Sequence, residues 1–233
     1  MGTPLQILIT DNDHGTIAEE ERVLAESGLE ARLVEAQCRS DDDVIAAGRE
    51  ADAFLVQYAP ITRRVLAACP RLRVVVRYGV GVDSIDVAAA TEHGVYVANV
   101  PDYCVDEVSD HALALLLALA RGVVRQANAC RAGRWDFRLA APLHRLRGQV
   151  VGLLALGRIS RALAAKLQPL GLEVLAFDPL LKQRQASACG VTLVTLPELL
   201  GACDYLINLA PLNAHTRHLI GADELRQIKP SAQ

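Results

Sequence analysis

The sequence predicts an α/β protein made of parallel sheets covered by helices, and three observations carry that expectation. Short runs rich in β-branched residues alternate with helix-like segments along nearly the whole chain. That alternation pauses at Pro101, passes through an apolar helical stretch, and restarts. The 233 residues, 52% hydrophobic and 22% charged, are enough for two cores at roughly 100 to 150 residues per domain. A boundary after Pro101 divides the chain into residues 1–101 and 102–233.

In the first domain, strands are expected at ILIT from Ile7, ARLVEA from Ala31, AFLVQ from Ala53, RVVVRY from Arg73 and VYVAN around Tyr96. Helices are expected between them over residues 18–27, 41–49, 62–68 and 84–93, several closed by Gly or Pro. Beyond Pro101 we expect one long helix. Asp106, Glu107 and Asp110 sit in its first turns and Arg121 and Arg125 beyond the run ALALLLALA, the polarity a helix dipole favours. That run falls far short of the roughly 20 residues of a membrane span and is bracketed by His111 and Arg121, so a buried helix is expected. The second domain then follows as QVVGLL, a helix from Arg158, EVLAFD, a short VTLV, a helix around residues 197–200, and DYLINLA. In a doubly wound sheet DYLINLA flanks QVVGLL, which predicts a bare hydrophobic edge at Tyr205, Leu206, Ile207 and Leu209.

A net charge of -3 offers no broad basic field, so neither nucleic acid nor an anionic membrane is an expected partner. The N-terminus, MGTPLQILITDND, lacks the layout of a secretory signal, and a cytoplasmic protein is expected. The six cysteines are far apart with no C-x-x-C pair, which predicts no disulfide framework and no metal site.

Two stretches carry chemistry. The segment GLLALGRISRALA joins a strand to a helix, as the phosphate-binding turn G-x-G-x-x-G does, yet it offers Ala155, Gly157 and Ser160. Gly157 keeps the role in which backbone approaches a pyrophosphate, while the added atoms at Ala155 and Ser160 are expected to crowd the turn by about 1 to 3 kcal/mol. Asp178 ends the next strand, near the spacing of roughly 20 at which a carboxylate meets the adenosine ribose. Such a carboxylate repels an added 2'-phosphate and favours NAD, although Lys182 and Arg184 keep NADP open; a plain surface turn at Asp178-Pro179 is the alternative. Arg158 can reach phosphate oxygens or remain a solvated side chain. The other stretch is RYGVGVD, where Gly79 and Gly81 make a turn whose amides can face a small anion and Arg77 offers a fork to a carboxylate. The alternative is a strand-end turn with Arg77 in an ion pair. Asp83 and Asp86 read as caps of the following helix.

Five segments, VRYGVGVDSID, NVPDYCVDEVSDHALALLLALAR, RLRGQVVGLLALGRISRALA, AFDP and PLNAHTRHLI, resemble in that order the NAD-dependent D-isomer-specific 2-hydroxyacid dehydrogenases. The branch they look most like is that of C-terminal-binding protein and phosphoglycerate dehydrogenase. The resemblance implies a flavodoxin-like substrate-binding domain followed by a Rossmann-type doubly wound domain, C-terminally incomplete. It implies hydride transfer between NAD(H) and a small 2-hydroxy or 2-keto acid. Cofactor contacts are then expected at Ala155, Leu156, Gly157, Arg158, Ile159, Asp178, Pro211 and Thr216, and substrate contacts at Arg77, Gly79, Val80 and Gly81. A homodimer through the helix over residues 112–120 is expected as well.

The family's catalytic arginine, glutamate and histidine follow a K-P-G-A step, whereas this chain reaches Lys229-Pro230-Ser231-Ala232 and then Gln233. His14, His93, His111, His144, His215 and His218 all lack the family's Thr-Pro-His context. No catalytic residue is therefore expected within the chain, which is expected to be inactive alone. Two further readings stay open: a non-catalytic NAD(H)-binding or regulatory protein, and a flavodoxin-like binding module with a remnant second domain.

Overall fold

The computed structural model describes residues 4–233, and the chain divides into two compact units, Met1–Tyr103 and Cys104–Gln233. In the first, β1 (Leu5–Ile9), α1 (Ala18–Ser27), β2 (Ala31–Glu35), α2 (Asp41–Gly48), β3 (Ala53–Val56), α3 (Arg63–Ala68), β4 (Val74–Arg77), α4 (Val87–Glu92) and β5 (Tyr96–Ala98) alternate without exception. All neighbouring strands pair parallel, in the order β2-β1-β3-β4-β5, which is the flavodoxin-like order. Leu8, Phe54, Val56 and Val75 project into one core with Val44, Val65 and Ala89 from the helices. The helix starts are set by short polar side chains. Ser40 and Asp43 cap α2 reciprocally, and Asp86 accepts the Ala89 N–H at 2.8 Å to start α4.

The second unit holds α5 (Val105–Ala120), α6 (Val123–Arg131), β6 (Val150–Leu154), α7 (Arg158–Leu167), β7 (Glu173–Phe177), α8 (Gln183–Ser187), β8 (Thr192–Leu193), α9 (Leu196–Ala202), β9 (Tyr205–Asn208) and α10 (Ala222–Leu225). Its parallel sheet runs β8-β7-β6-β9, so DYLINLA does lie beside QVVGLL and the strand order reverses between β6 and β9. Val151, Leu153, Leu163, Leu167 and Val174 form the core, joined by Leu116 and Ala120 of α5. Lys166 fastens α7 to α5 by donating to Ser109 Oγ at 2.7 Å and Asp110 Oδ1 at 2.6 Å.

Three expectations need correction. The single long helix is two, because Gly122 takes a left-handed backbone (φ 61°) that ends α5 before α6 begins. The run ALALLLALA is buried on one face only: Leu116 and Ala120 are 3% exposed, but Leu115 and Leu119 are 54% exposed. The edge of β9 is not bare along its length, since Gln233 donates to Asp204 O at 2.9 Å and accepts from Leu206 N at 3.0 Å.

Among the described residues no helix is long and apolar enough to cross a membrane, and no three His, Cys, Asp or Glu side chains are grouped to hold a metal ion. The six cysteines are unpaired. Cys38, Cys69 and Cys203 are buried, and burial pushes each thiol's pKa up, away from the reactive thiolate.

Candidate functional site

The turn between β6 and α7 begins at Ala155, whose backbone is left-handed at φ 67°. An L-residue pays for that conformation through contact between Cβ and the following carbonyl, so the first fingerprint position is strained in its backbone rather than merely crowded. Neighbouring groups hold the turn in place. Ala155 N donates to Phe177 O at 2.9 Å, and the fully buried Leu156 donates its N–H to Asp178 Oδ2 at 2.9 Å and accepts from Arg161 Nε at 3.0 Å. Asp178 Oδ1 accepts from Leu180 N at 3.0 Å. Asp178 therefore ties the β6 to α7 turn to the end of β7, a job that spacing alone does not reveal.

Gly157 then caps α7 with an extended backbone and no side-chain hydrogen bond, and a Cβ placed on it meets nothing within 4 Å. The first turn of α7 holds Arg158 and Ile159 and no acidic residue, so its amides and the helix dipole present a field that attracts anions. Ser160, the third fingerprint position, faces inward and is 1% exposed. Past β9, Thr216 donates to Pro211 O and accepts from Asn213 N at 2.9 Å, closing a compact loop at the same strand end as Ala155–Gly157. These residues fit a dinucleotide. Open space lies over Gly157, the helix start lacks a side-chain cap, and the Asp178 carboxylate, which accepts a backbone N–H on each oxygen, has further lone pairs for two hydroxyls.

In the first unit, β4 ends at Arg77 and leads into the loop of Gly79, Val80 and Gly81. The loop is held from outside. Tyr78 N donates to Val56 O at 2.8 Å, Val100 N to Gly79 O at 3.1 Å, and Asn99 Nδ2 to Val80 O at 2.7 Å. Among the described residues, the N–H groups of Val80 and Gly81 donate to no protein acceptor. The Arg77 guanidinium lies over Gly79, where a Cβ would come within 1.8 Å of Nη1, and Nε donates to Gln57 O at 3.3 Å. Among the described residues Arg77 makes no ion pair, so the alternative expectation of a structural ion pair is not met. Asp86 is a helix cap as expected, while Asp83 lies beside Gly81, its Oδ1 2.9 Å from where a Cβ would be.

Sequence reasoning missed a supporting group below this loop. Asp11 follows β1 and is 7% exposed, and its carboxylate accepts from Thr10 Oγ1 and from the amides of Gln57, Tyr58 and Ala59. The only sequence signal was an aspartate ending a strand, inside DND, which reads as an ordinary turn. Close by, Tyr78 donates to Glu20 Oε1 at 2.8 Å and packs edge-on against His14. Burial, then the Glu20 carboxylate, pushes the Tyr78 phenol far above its ordinary range, so it remains a neutral donor.

A family model described as D-isomer specific 2-hydroxyacid dehydrogenase, NAD binding domain, matches residues 113–233, more than half of the chain. D-3-phosphoglycerate dehydrogenase of Mycobacterium leprae is 37% identical over 203 residues, covering 87% of this chain and 38% of that protein. Glyoxylate reductase of Korarchaeum cryptofilum is 35% identical over 176 residues, covering 74% of this chain and 53% of that protein. The match thus spans about half or less of the length of these two relatives. Among solved structures, D-lactate dehydrogenase of Aquifex aeolicus, complexed with NAD and lactic acid, has a TM-score of 0.86 over 96% of this chain and 66% of that one. At 22% identity that likeness concerns the fold. On the match to its family model, the chain belongs to the D-isomer specific 2-hydroxyacid dehydrogenases.

Proposed function

We propose that these residues form the binding parts of an oxidoreductase that moves a hydride between NAD(H) and a small 2-hydroxy or 2-keto acid. The first unit, up to about Pro101, takes the acid. Arg77 faces its carboxylate, and the amides of Gly79, Val80 and Gly81 surround it. The second unit takes the cofactor. Ala155, Leu156, Gly157, Arg158 and Ile159 receive the pyrophosphate, Asp178 accepts the ribose hydroxyls, and Pro211 and Thr216 border the remainder. NAD, when bound, supplies the hydride acceptor; the chain's own residues orient it and exclude a 2'-phosphate through the charge on Asp178. The protein acts in the cytoplasm as a homodimer, an arrangement that the exposed face of α5 supports.

The observation that carries this reading is the Asp178 to Leu156 bond beside an α7 N-terminus without a side-chain cap. Titration of NADH fluorescence with the 233-residue chain tests it. Asp178→Ala is expected to weaken NADH at least tenfold, with NADPH binding more weakly than NADH to the parent chain. An unchanged NADH affinity in that variant would overturn the assignment.

A further inference from the structure

We propose that Asp11 is a positioning residue that sets the direction of the Arg77 guanidinium through the single peptide group between Gln57 and Tyr58. The N–H of that peptide, on Tyr58, donates to Asp11 Oδ2 at 2.6 Å, and its carbonyl, on Gln57, accepts from Arg77 Nε at 3.3 Å. A peptide unit is planar and trans, so its N–H and C=O point in opposite directions. Fixing the N–H on a buried carboxylate therefore fixes where the carbonyl points, and with it the guanidinium.

Asp11 does this with little freedom of its own. Oδ1 also accepts the amides of Gln57 at 3.0 Å and Ala59 at 3.3 Å and the Thr10 hydroxyl at 2.8 Å. The Gln57 side chain adds a further tie by accepting from Asp13 N at 2.7 Å. Charge on the carboxylate polarises the peptide and strengthens its carbonyl as an acceptor for Arg77. From the other side Arg77 is bounded by the bare Cα of Gly79. With Nε engaged and the guanidinium confined, the terminal nitrogens are left to meet an anion in one orientation. This last step rests on the proposed role of Arg77 as the substrate's anion contact; the positioning itself does not.

The test uses the full 233-residue chain, labelled with 15N, and sodium oxalate as the probe. The Nε–Hε resonance of Arg77 is identified by its loss in Arg77→Lys. In Asp11→Asn, whose amide offers one acceptor and turns an NH2 toward backbone N–H groups, that resonance is expected to move before any oxalate is added. Oxalate affinity is expected to fall at least threefold in Asp11→Asn and at least tenfold in Arg77→Lys, with the double variant no weaker than Arg77→Lys. An unmoved Arg77 resonance, or additive losses in the double variant, would overturn the positioning role. If Arg77→Lys leaves oxalate binding intact while Asp11→Asn still moves the resonance, the role of Arg77 as anion contact falls and the positioning stands. Should Asp11→Asn not fold, hydrogen exchange on the parent chain decides: the Tyr58 amide is expected to be strongly protected, and exchange at the rate of an open loop overturns the proposal.

Discussion

Asp52 and Asp204 do the same work in the two units. Each immediately precedes the strand that pairs with the first strand of its sheet. Asp52 N donates to Gln6 O at 2.8 Å while its carboxylate accepts from Gln6 N at 2.9 Å, and Asp204 treats Val150 in the same way at the same distances. Each then meets a cation, Arg71 at 3.0 Å and Lys229 at 2.9 Å. Removing either carboxylate leaves a strand N–H without its partner and takes an ion pair from the cation, although Arg71 still faces Glu50 at 3.6 Å. Asp52→Ala and Asp204→Ala are expected to cost about 1 to 3 kcal/mol each in urea unfolding. Losses under about 0.5 kcal/mol, the range of ordinary surface substitutions, would show that the bonds contribute little.

The same pair sets an acid dependence. Burial alone raises a carboxylic acid's pKa, but the strand N–H and the cation outweigh it and hold both aspartates below the usual range. A folded pKa below the unfolded value of about 3.9 means that the contribution is present above that pH and is lost as pH falls through the folded pKa. Stability of the parent chain should therefore fall on acidification below about pH 4, and the doubly substituted Asp52→Asn, Asp204→Asn chain should show a shallower fall. Equal slopes for the two chains would assign the acid sensitivity to other carboxylates.

Ala155 gives a prediction of opposite sign. Its left-handed backbone disfavours any residue with a Cβ by about 1 to 2 kcal/mol, while glycine loses more chain entropy on folding, by about 0.4 to 1 kcal/mol. The balance favours Ala155→Gly by up to about 1.6 kcal/mol, read as a higher Tm with NADH affinity kept or improved. Ala155→Val adds a branched Cβ to the same backbone and should lower Tm. A lower Tm for Ala155→Gly would mean that the turn is not left-handed at this position.

On α5, Leu115 and Leu119 lie on one face and are both 54% exposed, and α6 adds Val123 and Val124 at 50% and 63%. Water does not favour so much exposed aliphatic surface on one short stretch, and in the proposed homodimer the same face of a second copy would cover it. Sedimentation of the parent chain at micromolar concentration is expected to give a dimer, and Leu119→Glu a monomer of similar Tm. A monomeric parent chain counts against the interface.

The sheets were legible in the sequence because buried parallel strands leave near-continuous runs such as VVVRY and VVGLL, with Gly or Pro between them. The break after Ala120 was not. Gly122 follows a long apolar run and is one of many glycines, and only its φ of 61° shows that it ends a helix. At the β6 to α7 turn, spacing pointed to Asp178 but not to its bond with Leu156, because a hydrogen bond between residues 22 apart depends on how β6 and β7 register. Asp11 was illegible for the same reason: its partners at 57 to 59 are brought to it by the pairing of β1 with β3.

The last prediction is that the 233-residue chain binds NADH yet turns over no 2-keto acid. Proton transfer in such a reaction calls for a group poised near neutral pH, most often a histidine oriented by a carboxylate. Among the described residues no histidine pairs with a carboxylate. His14 packs edge-on against Tyr78, and the His93 ring bonds to Ala89 O within its own helix end. His218 holds a left-handed backbone at φ 58° in the loop after β9, and His111 lies on α5. In the proposed reading, binding depends on the β6 to α7 turn and Asp178, which are present, whereas turnover depends on a proton donor that none of these histidines is arranged to be. The assay follows NADH absorbance with glyoxylate, pyruvate, hydroxypyruvate and phosphohydroxypyruvate, alongside NADH fluorescence as the binding control. No loss of NADH above the enzyme-free rate is expected while the fluorescence titration saturates. Turnover near about 10 per second, a common enzyme value, would mean that a group within these residues does transfer the proton. His14, which packs against the Tyr78 ring, would then be the first to replace.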